Sequence, residues 1–506
     1  MAISEKIRVN ALEEQTVPFN NKVDYCIGTG RMGLALQKEY FEQLKLVQEA
    51  IGFEYIRGHG LFSDDMAIYH EYEEDGIKKA EYNFTYLDLV MDNYQSLGIK
   101  PFLELGFMPK ALASGDQTVF YWKGNVTPPK SYEGWCQLVQ ATLKHLMTRY
   151  GEANVLTWPI EVWNEPNLPG FWKDADMEEY FKLFKETFYA IKAVHPDFKV
   201  GGPAICGVDD ERWIREFLVF CEKESIPIDF VTRHHYTTEM PERAGHYGYQ
   251  ALTEPEYGKE NLHTTRKIVD EFKAYKGKEI HITEFNTSYI PNNPIHDINQ
   301  NAAFIAHQLS WLGEDNASYS YWTFGDIFEE FGVPFTPFHG GFGLVANGGI
   351  PKPTFWSFEF FKQLKKGKCI YKDDHTVIVK EENGKYKIVA WNHGTKREDK
   401  KLAIDYFLNA NEKEYGVIER RVGEQSCNPL KLWHDMGEPK SLSKEQKKLL
   451  ITAASPQINS YRKESVDKQL ELSIALDEFD VVYLEIEAIT SKSDRGYDYS
   501  RVMQYH

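Results

Sequence analysis

The 506-residue chain lacks several things, and each shortage excludes a class of function. Its six cysteines, Cys26, Cys136, Cys206, Cys221, Cys369 and Cys427, show no C-x-x-C spacing. Neither a zinc knuckle nor a disulfide framework is signalled, and buried thiols in a reducing compartment are expected. Basic residues are outnumbered, with 58 Lys and Arg against 76 Asp and Glu, and no basic cluster offers nucleic acid a footprint. No apolar run approaches the roughly 18 residues of a membrane span. The amino-terminal "MAISEKIRVNALEEQTV" has neither a basic nor an apolar leader region, so a soluble, cytoplasmic protein is expected. His59, His234, His235, His281 and His339 are available to a metal, yet there is no H-E-x-x-H and no close pair at helical spacing. Neither metal nor cofactor is expected. "GTGRMG" is close to a dinucleotide fingerprint, but no acidic residue ends a second strand.

What the chain has instead is a repeat of texture. Short apolar or β-branched segments begin at 24 ("DYCIGTG"), 55 ("YIRGHG"), 101 ("PFLELGF"), 158 ("WPIEVWNE"), 199 ("KVGGPAIC"), 229 ("DFVTRHHY"), 279 ("EIHITEFN") and 318 ("SYSYWTF"). Between them lie amphipathic stretches with apolar residues three and four apart, such as "EEYFKLFKETFYAIKAV". Eight alternations of strand and helix imply parallel pairing, and the simplest closed solution is a (β/α)8 barrel over residues 18–367. After Gly367 the period changes to two: "TVIVKEENGKYKIVAW" turns at Asn383-Gly384, and "KLAIDYFL", "YGVIERR", "LELSIAL" and "FDVVYLEIEA" follow. A β-sandwich over 368–488 is expected, joined by "KIRVNA" from residues 1–17, with a polar tail over 489–506.

In such a barrel the carboxyl ends of the strands form one rim. Glu165 ends the fourth strand and Glu284 the seventh; His59, His234, Tyr236 and Trp322 end the second, sixth and eighth. Two carboxyls facing each other are what glycosidic cleavage needs: one protonates the leaving oxygen while the other attacks, or activates water. Asn164 stands within reach of a sugar hydroxyl. Taken singly, N-E-P is equally a capped turn and the tryptophans equally core residues; their coincidence at one rim favours the pocket.

The residues then become recognisable. "CIGTGRMGLALQKEY", "YIRGHGLF", "GFMPKALASGDQTVFYWKGNVTPP", "WNEPNLPGFWKDAD", "KVGGPAICG", "HITEFNTSY", "YWTFGDIFEE", "FHGGFGL" and "IPKPTF" occur in order, and with them the chain resembles the β-xylosidases of glycoside hydrolase family 39. The resemblance implies a retaining, exo-acting β-D-xylosidase that trims xylo-oligosaccharides from the non-reducing end. Glu165 would be the acid/base and Glu284 the nucleophile. It further implies that His59, Asn164, His234, Tyr236, Tyr289, Trp322 and Glu329 or Glu330 surround the first sugar, with Phe120 as a wall. A homo-oligomer, possibly a tetramer, is implied as well. Two departures stand out: His235 in "RHHY", where the family usually has a small residue, and Phe285, where it often has Tyr. The competing activities are those of α-L-iduronidases, found in the same family, an α-L-arabinosidase, and a carbohydrate-binding barrel without catalysis. Glu165 is expected to be protonated at rest, its pKa raised by apolar surroundings and by Glu284.

Overall fold

The computed structural model describes residues 5–490 and 496–503. Its first layer is eight parallel strands: β1 (Cys26–Thr29), β2 (Tyr55–Gly58), β3 (Lys100–Pro101 with Leu103–Leu105), β4 (Ile160–Val162), β5 (Val200–Ile205), β6 (Phe230–Tyr236), β7 (Glu279–Asn286) and β8 (Ser318–Tyr321). The two halves of β3 are the two ends of one sheet: Lys100–Pro101 pairs with β2 and Leu103–Leu105 with β4. Because both halves belong to one strand, interrupted at Phe102, the sheet closes on itself and the barrel has no free edge.

Each strand is followed by a helix: α1 (Lys38–Ala50), α2 (Thr85–Ser96), α3 (Tyr132–Tyr150), α4 (Met177–Val194), α5 (Asp210–Lys223), α6 (Pro255–Glu271), α7 (Asn299–Trp311) and α8 (Pro353–Leu364). Local chemistry sets their ends. The Asp176 side chain accepts from the Glu179 amide at the start of α4, Ser131 does the same for α3, and α3 stops at Gly151 with φ of 85°. Tyr180, Phe184, Phe188 and Ile191 then turn one face of α4 into the core.

The second unit is two sheets around a shared core. Glu5–Ala11 runs parallel to Leu402–Asn409, which pairs antiparallel with Gln469–Leu476, so "KIRVNA" does add a strand. The other sheet has six antiparallel strands, including Thr376–Lys380 and Tyr386–Trp391 on either side of Gly384. Ile404, Tyr406 and Leu472 of the first sheet meet Ile388, Val417 and Leu484 of the second. Helices α7 and α8 lie between barrel and sandwich. Every residue of α7 except Gln300 is buried, and Phe360 of α8 stacks on Tyr483 at 5.4 Å under the guanidinium of Arg420.

Several elements were not anticipated. The hairpin Tyr69–Glu74 and Ile77–Tyr82 turns at Asp75-Gly76, both at positive φ, a D-G signal masked by charged flanks. Helices Pro429–Asp435 and Lys444–Ala453 interrupt the sandwich. Strand Gln457–Glu464 is exposed along its whole length, so it has no apolar alternation to reveal it and exists through its pairing with Glu414–Val422. Of the expected polar tail, 491–495 and 504–506 lie outside the described residues; Tyr499–Met503 is a short exposed helix.

Because Phe360 is fully buried between the two units, Phe360→Ala is expected to destabilise the chain by about 3–5 kcal/mol, read as a lower urea midpoint with an unchanged slope.

Candidate active site

The end of β4 turns sharply. Trp163 has φ of 72° and Glu165 φ of 45°, in the left-handed region that bulky residues avoid, and the Glu165 amide donates to the Ala204 carbonyl at 2.9 Å. Trp163 is held there from both sides, its amide on the Leu105 carbonyl and its indole on the Phe171 carbonyl. The turn aims Asn164 and Glu165 into the mouth of the barrel. Register shifts near the carboxyl ends of β5, β6 and β7 re-aim their side chains in the same way, and His234 and Glu284 emerge as direct cross-strand partners.

At the centre is a residue the motifs did not single out. Arg57, wholly buried on β2, reaches Glu161 at 2.5 Å, Glu284 at 2.8 Å, Asn164 at 2.9 Å and Glu104 at 3.0 Å. Burial opposes its charge, but Glu161, Glu104 and Glu284 together raise its proton affinity above normal. The guanidinium has only donors, so Asn164 must face it with its carbonyl oxygen, leaving the amide NH2 for the pocket. Glu161 is held on its other oxygen by Thr283 at 2.8 Å. Glu104 is pushed up to about 8, chiefly by burial, and accepts from or donates to His59 Nδ1 at 2.7 Å.

Glu284 accepts from Arg57 on one oxygen and from Tyr236 Oη, at 2.7 Å, on the other. Glu165 is pushed up to about 7, mainly by burial, with His59 and Arg57 pulling it down. Glu104, and not Glu284 as expected, is the carboxyl that adds to the rise. His234 Nδ1 meets Glu165 Oε1 at 2.7 Å, while its Nε2 faces Arg57 at 3.5 Å. A donor-only neighbour at Nε2 puts the ring proton on Nδ1, so the imidazole donates to Glu165. Burial holds both His59 and His234 down at about 4, neutral at pH 7. One oxygen each of Glu165 and Glu284 and a nitrogen of His234 lie within 4.8 Å of one another. Such a trio has the donor types of a cation site, but each group is also engaged by a proton donor or a neutral ring, an arrangement suited to proton handling.

The walls are aromatic. The Trp322 ring lies 4.6 Å from the His59 ring, and Phe120 stacks on the other reach of His59 at 5.9 Å. Tyr289 stands farther out, partly exposed, 6.3 Å from Tyr236. The two adjacent glutamates separate: Glu329 is bound by Arg31 at 2.6 Å and turned from the pair, whereas Glu330 has its carboxyl pushed well above normal by burial and by Glu284 and Glu165. His235 points behind the barrel at Trp311, into room left by Gly258, whose added Cβ would come within 2.8 Å of the ring. Phe285 also faces outward, against Tyr319 and Tyr321. Neither departure touches the pocket. Arg57, Glu104 and Glu161 were missed although a signal existed: charged residues inside otherwise apolar barrel strands have only the interior to face.

The family model of the glycosyl hydrolases family 39 matches residues 5–471. The chain is 46% identical over 503 residues to the β-xylosidase of Geobacillus stearothermophilus, covering 98% of this chain and 99% of that one. Among solved structures, the GH39 enzyme of Xanthomonas axonopodis pv. citri superposes with a TM-score of 0.87 at 31% identity, over 97% of this chain and 98% of that one. A monomeric β-xylosidase of Caulobacter crescentus CB15 does so with 0.86 at 32%, over 96% and 100%.

Removing the central cation should expose its importance to the fold. Arg57→Met leaves Glu161 and Glu284 buried without a counter-charge and is expected to cost about 3–5 kcal/mol in urea unfolding. Arg57→Lys should recover only part of this, since an ammonium cannot reproduce the fork.

Proposed function

The chain belongs to the glycosyl hydrolases of family 39, and from that premise we propose that it is a retaining, exo-acting β-D-xylosidase releasing xylose from the non-reducing end of xylo-oligosaccharides. The observation that carries the reading is the approach of Glu165 and Glu284 oxygens to within 4.8 Å. Direct attack needs carboxyls about 5 Å apart, whereas an intervening water needs roughly 6.5–9.5 Å.

In the first step Glu284, whose oxygens accept from Arg57 and Tyr236, attacks the anomeric carbon. As that C–O bond forms, the bond to the leaving oxygen breaks and Glu165 transfers its proton to that oxygen. In the second, Glu165 removes a proton from water, water oxygen bonds to the anomeric carbon, and Glu284 departs. His234, donating to Glu165 Oε1, supports the anionic form that exists between the steps. The Asn164 amide is available to the hydroxyl beside the reacting carbon, and Glu330 to a more distant one. Phe120 and Trp322 fill the space where the exocyclic carbon of a glucoside would sit, a discrimination of about 1–3 kcal/mol. Side activity on α-L-arabinopyranosides belongs to this reading.

An α-L-iduronidase would need a cation for the substrate carboxylate. Arg57 is taken up by three carboxyls and Asn164, and Arg31 by Asp65 and Glu329. A catalytically silent carbohydrate-binding barrel would have no use for a raised acid facing a second carboxyl held by a guanidinium and a phenol. Assembly into a homo-oligomer, up to a tetramer, is also part of the proposal; the exposed strand Gln457–Glu464 offers it an unpaired sheet edge. The Caulobacter crescentus relative is described as monomeric, so sedimentation equilibrium decides this point. No helix among the described residues is long and apolar enough to cross a membrane.

Initial rates on an aryl β-D-xylopyranoside, beside the matching α-L-arabinopyranoside, α-L-iduronide and β-D-glucoside, test the substrate class. A dominant xyloside rate is expected, and negligible turnover of all four would overturn the reading. Glu284→Ala should abolish nearly all activity. Glu165→Ala should lose about 10²–10⁴-fold on a poor leaving group and far less on an activated one in the glycosylation step. Because Glu165 sits at about 7 and acts protonated, kcat/KM should fall as pH rises through that value. Glu165→Gln should remove this alkaline limb.

A further inference from the structure

Two motifs, "FHGGFGL" and "IPKPTF", take no part in the mechanism above, and they meet at a buried charge. Lys352 has no exposed surface, and its ammonium forms ion pairs with Asp297 at 2.6 Å and Asp326 at 2.7 Å. It also donates to the Gly341 carbonyl at 2.8 Å. Each aspartate uses its other oxygen on the same turn: Asp297 accepts from the Gly340 amide and Asp326 from the Gly343 amide, both at 2.7 Å. His296 Nδ1 engages the Gly340 carbonyl at 2.8 Å. The turn has no room for side chains at its glycines, since a Cβ on Gly340 would come within 2.5 Å of Asn293 backbone and one on Gly343 within 2.4 Å of Gly325 backbone. Backbone and charge thus fit together in one register.

The residue this turn presents is Phe342. Its ring meets Phe328 edge-on at 5.2 Å, and Phe328 meets Trp322 edge-on at 5.9 Å. These three form a small buried aromatic cluster of their own. Asn286 ties the same parts by backbone, donating to the carbonyls of Trp322 at 2.6 Å and Phe342 at 3.3 Å. Asp326 also begins the segment that carries Glu330 to the rim.

We propose that Lys352 is a positioning residue: by pairing with both Asp297 and Asp326 it fixes the turn over 339–343, whose Phe342 holds Phe328 against Trp322 and so sets the sugar-binding wall. The ammonium contacts Asp297, Asp326 and the Gly341 carbonyl and acts through these contacts. The inference rests on the reading of Trp322 as a wall of the xylose pocket.

The test is steady-state kinetics on an aryl β-D-xyloside with Lys352→Met, which removes the charge, and Phe342→Ala, which leaves all three charges in place and cuts the aromatic link. A fall in the folded fraction lowers apparent kcat and leaves KM unchanged, whereas a displaced wall weakens substrate binding and raises KM. For each folded variant, KM is expected to rise roughly ten- to a hundredfold. Should Lys352→Met fail to fold, Phe342→Ala decides alone. An active wild type whose KM is unchanged by Phe342→Ala overturns the clamp; a wild type inert on the xyloside overturns the reading beneath it.

Discussion

One buried guanidinium organises this molecule. Arg57 rises from β2 inside the barrel and draws together Glu104 from β3, Glu161 from β4, Asn164 from the turn beyond it and Glu284 from β7. Taking so many charges out of water is costly, and the cost is offset only when the fork of donors meets every acceptor in good geometry. The same geometry then does chemical work. It keeps Glu284 beside a permanent positive charge, turns the Asn164 amide toward the pocket, and leaves Glu165, which has no contact with Arg57 closer than the His234 ring between them, to be raised by burial.

The division between the two glutamates follows from what surrounds each. Glu284 receives a cationic donor and a phenol, both of which favour an anion. Glu165 receives a neutral imidazole and an apolar setting, which favour a proton. Two identical side chains a few ångströms apart thereby meet opposite surroundings. Another buried cation, Lys352, repeats the principle on the loop beyond β8, where charge fixes backbone and backbone presents an aromatic ring.

Much of this was legible in the chain. Barrel strands could be counted because each is a short apolar run between turn residues, and the rim positions of Glu165, Glu284, His59, His234, Tyr236 and Trp322 follow from strand ends alone. The inward-facing charges were overlooked because Arg57, Glu104 and Glu161 sit one or two residues from more conspicuous motifs. Glu329 and Glu330 could not be told apart, since both are glutamates on one loop and only the position of Arg31 separates them. The strand Gln457–Glu464 was hidden for a different reason: its residues have no preference for one face, and pairing with a neighbour is what makes it a strand.

The amino-acid sequence by itself determined the alternation of strands and helices, the change to β-structure after Gly367, and which polar groups are delivered to one end of the barrel. These are local matters of periodicity, turn chemistry and chain direction. Only the tertiary structure decided which carboxyl is raised, which face of Asn164 meets Arg57, which of two neighbouring glutamates Arg31 binds, and where His235 goes. Those outcomes depend on burial and on distances of a few ångströms between residues far apart in the chain, and such quantities exist only once the barrel has closed.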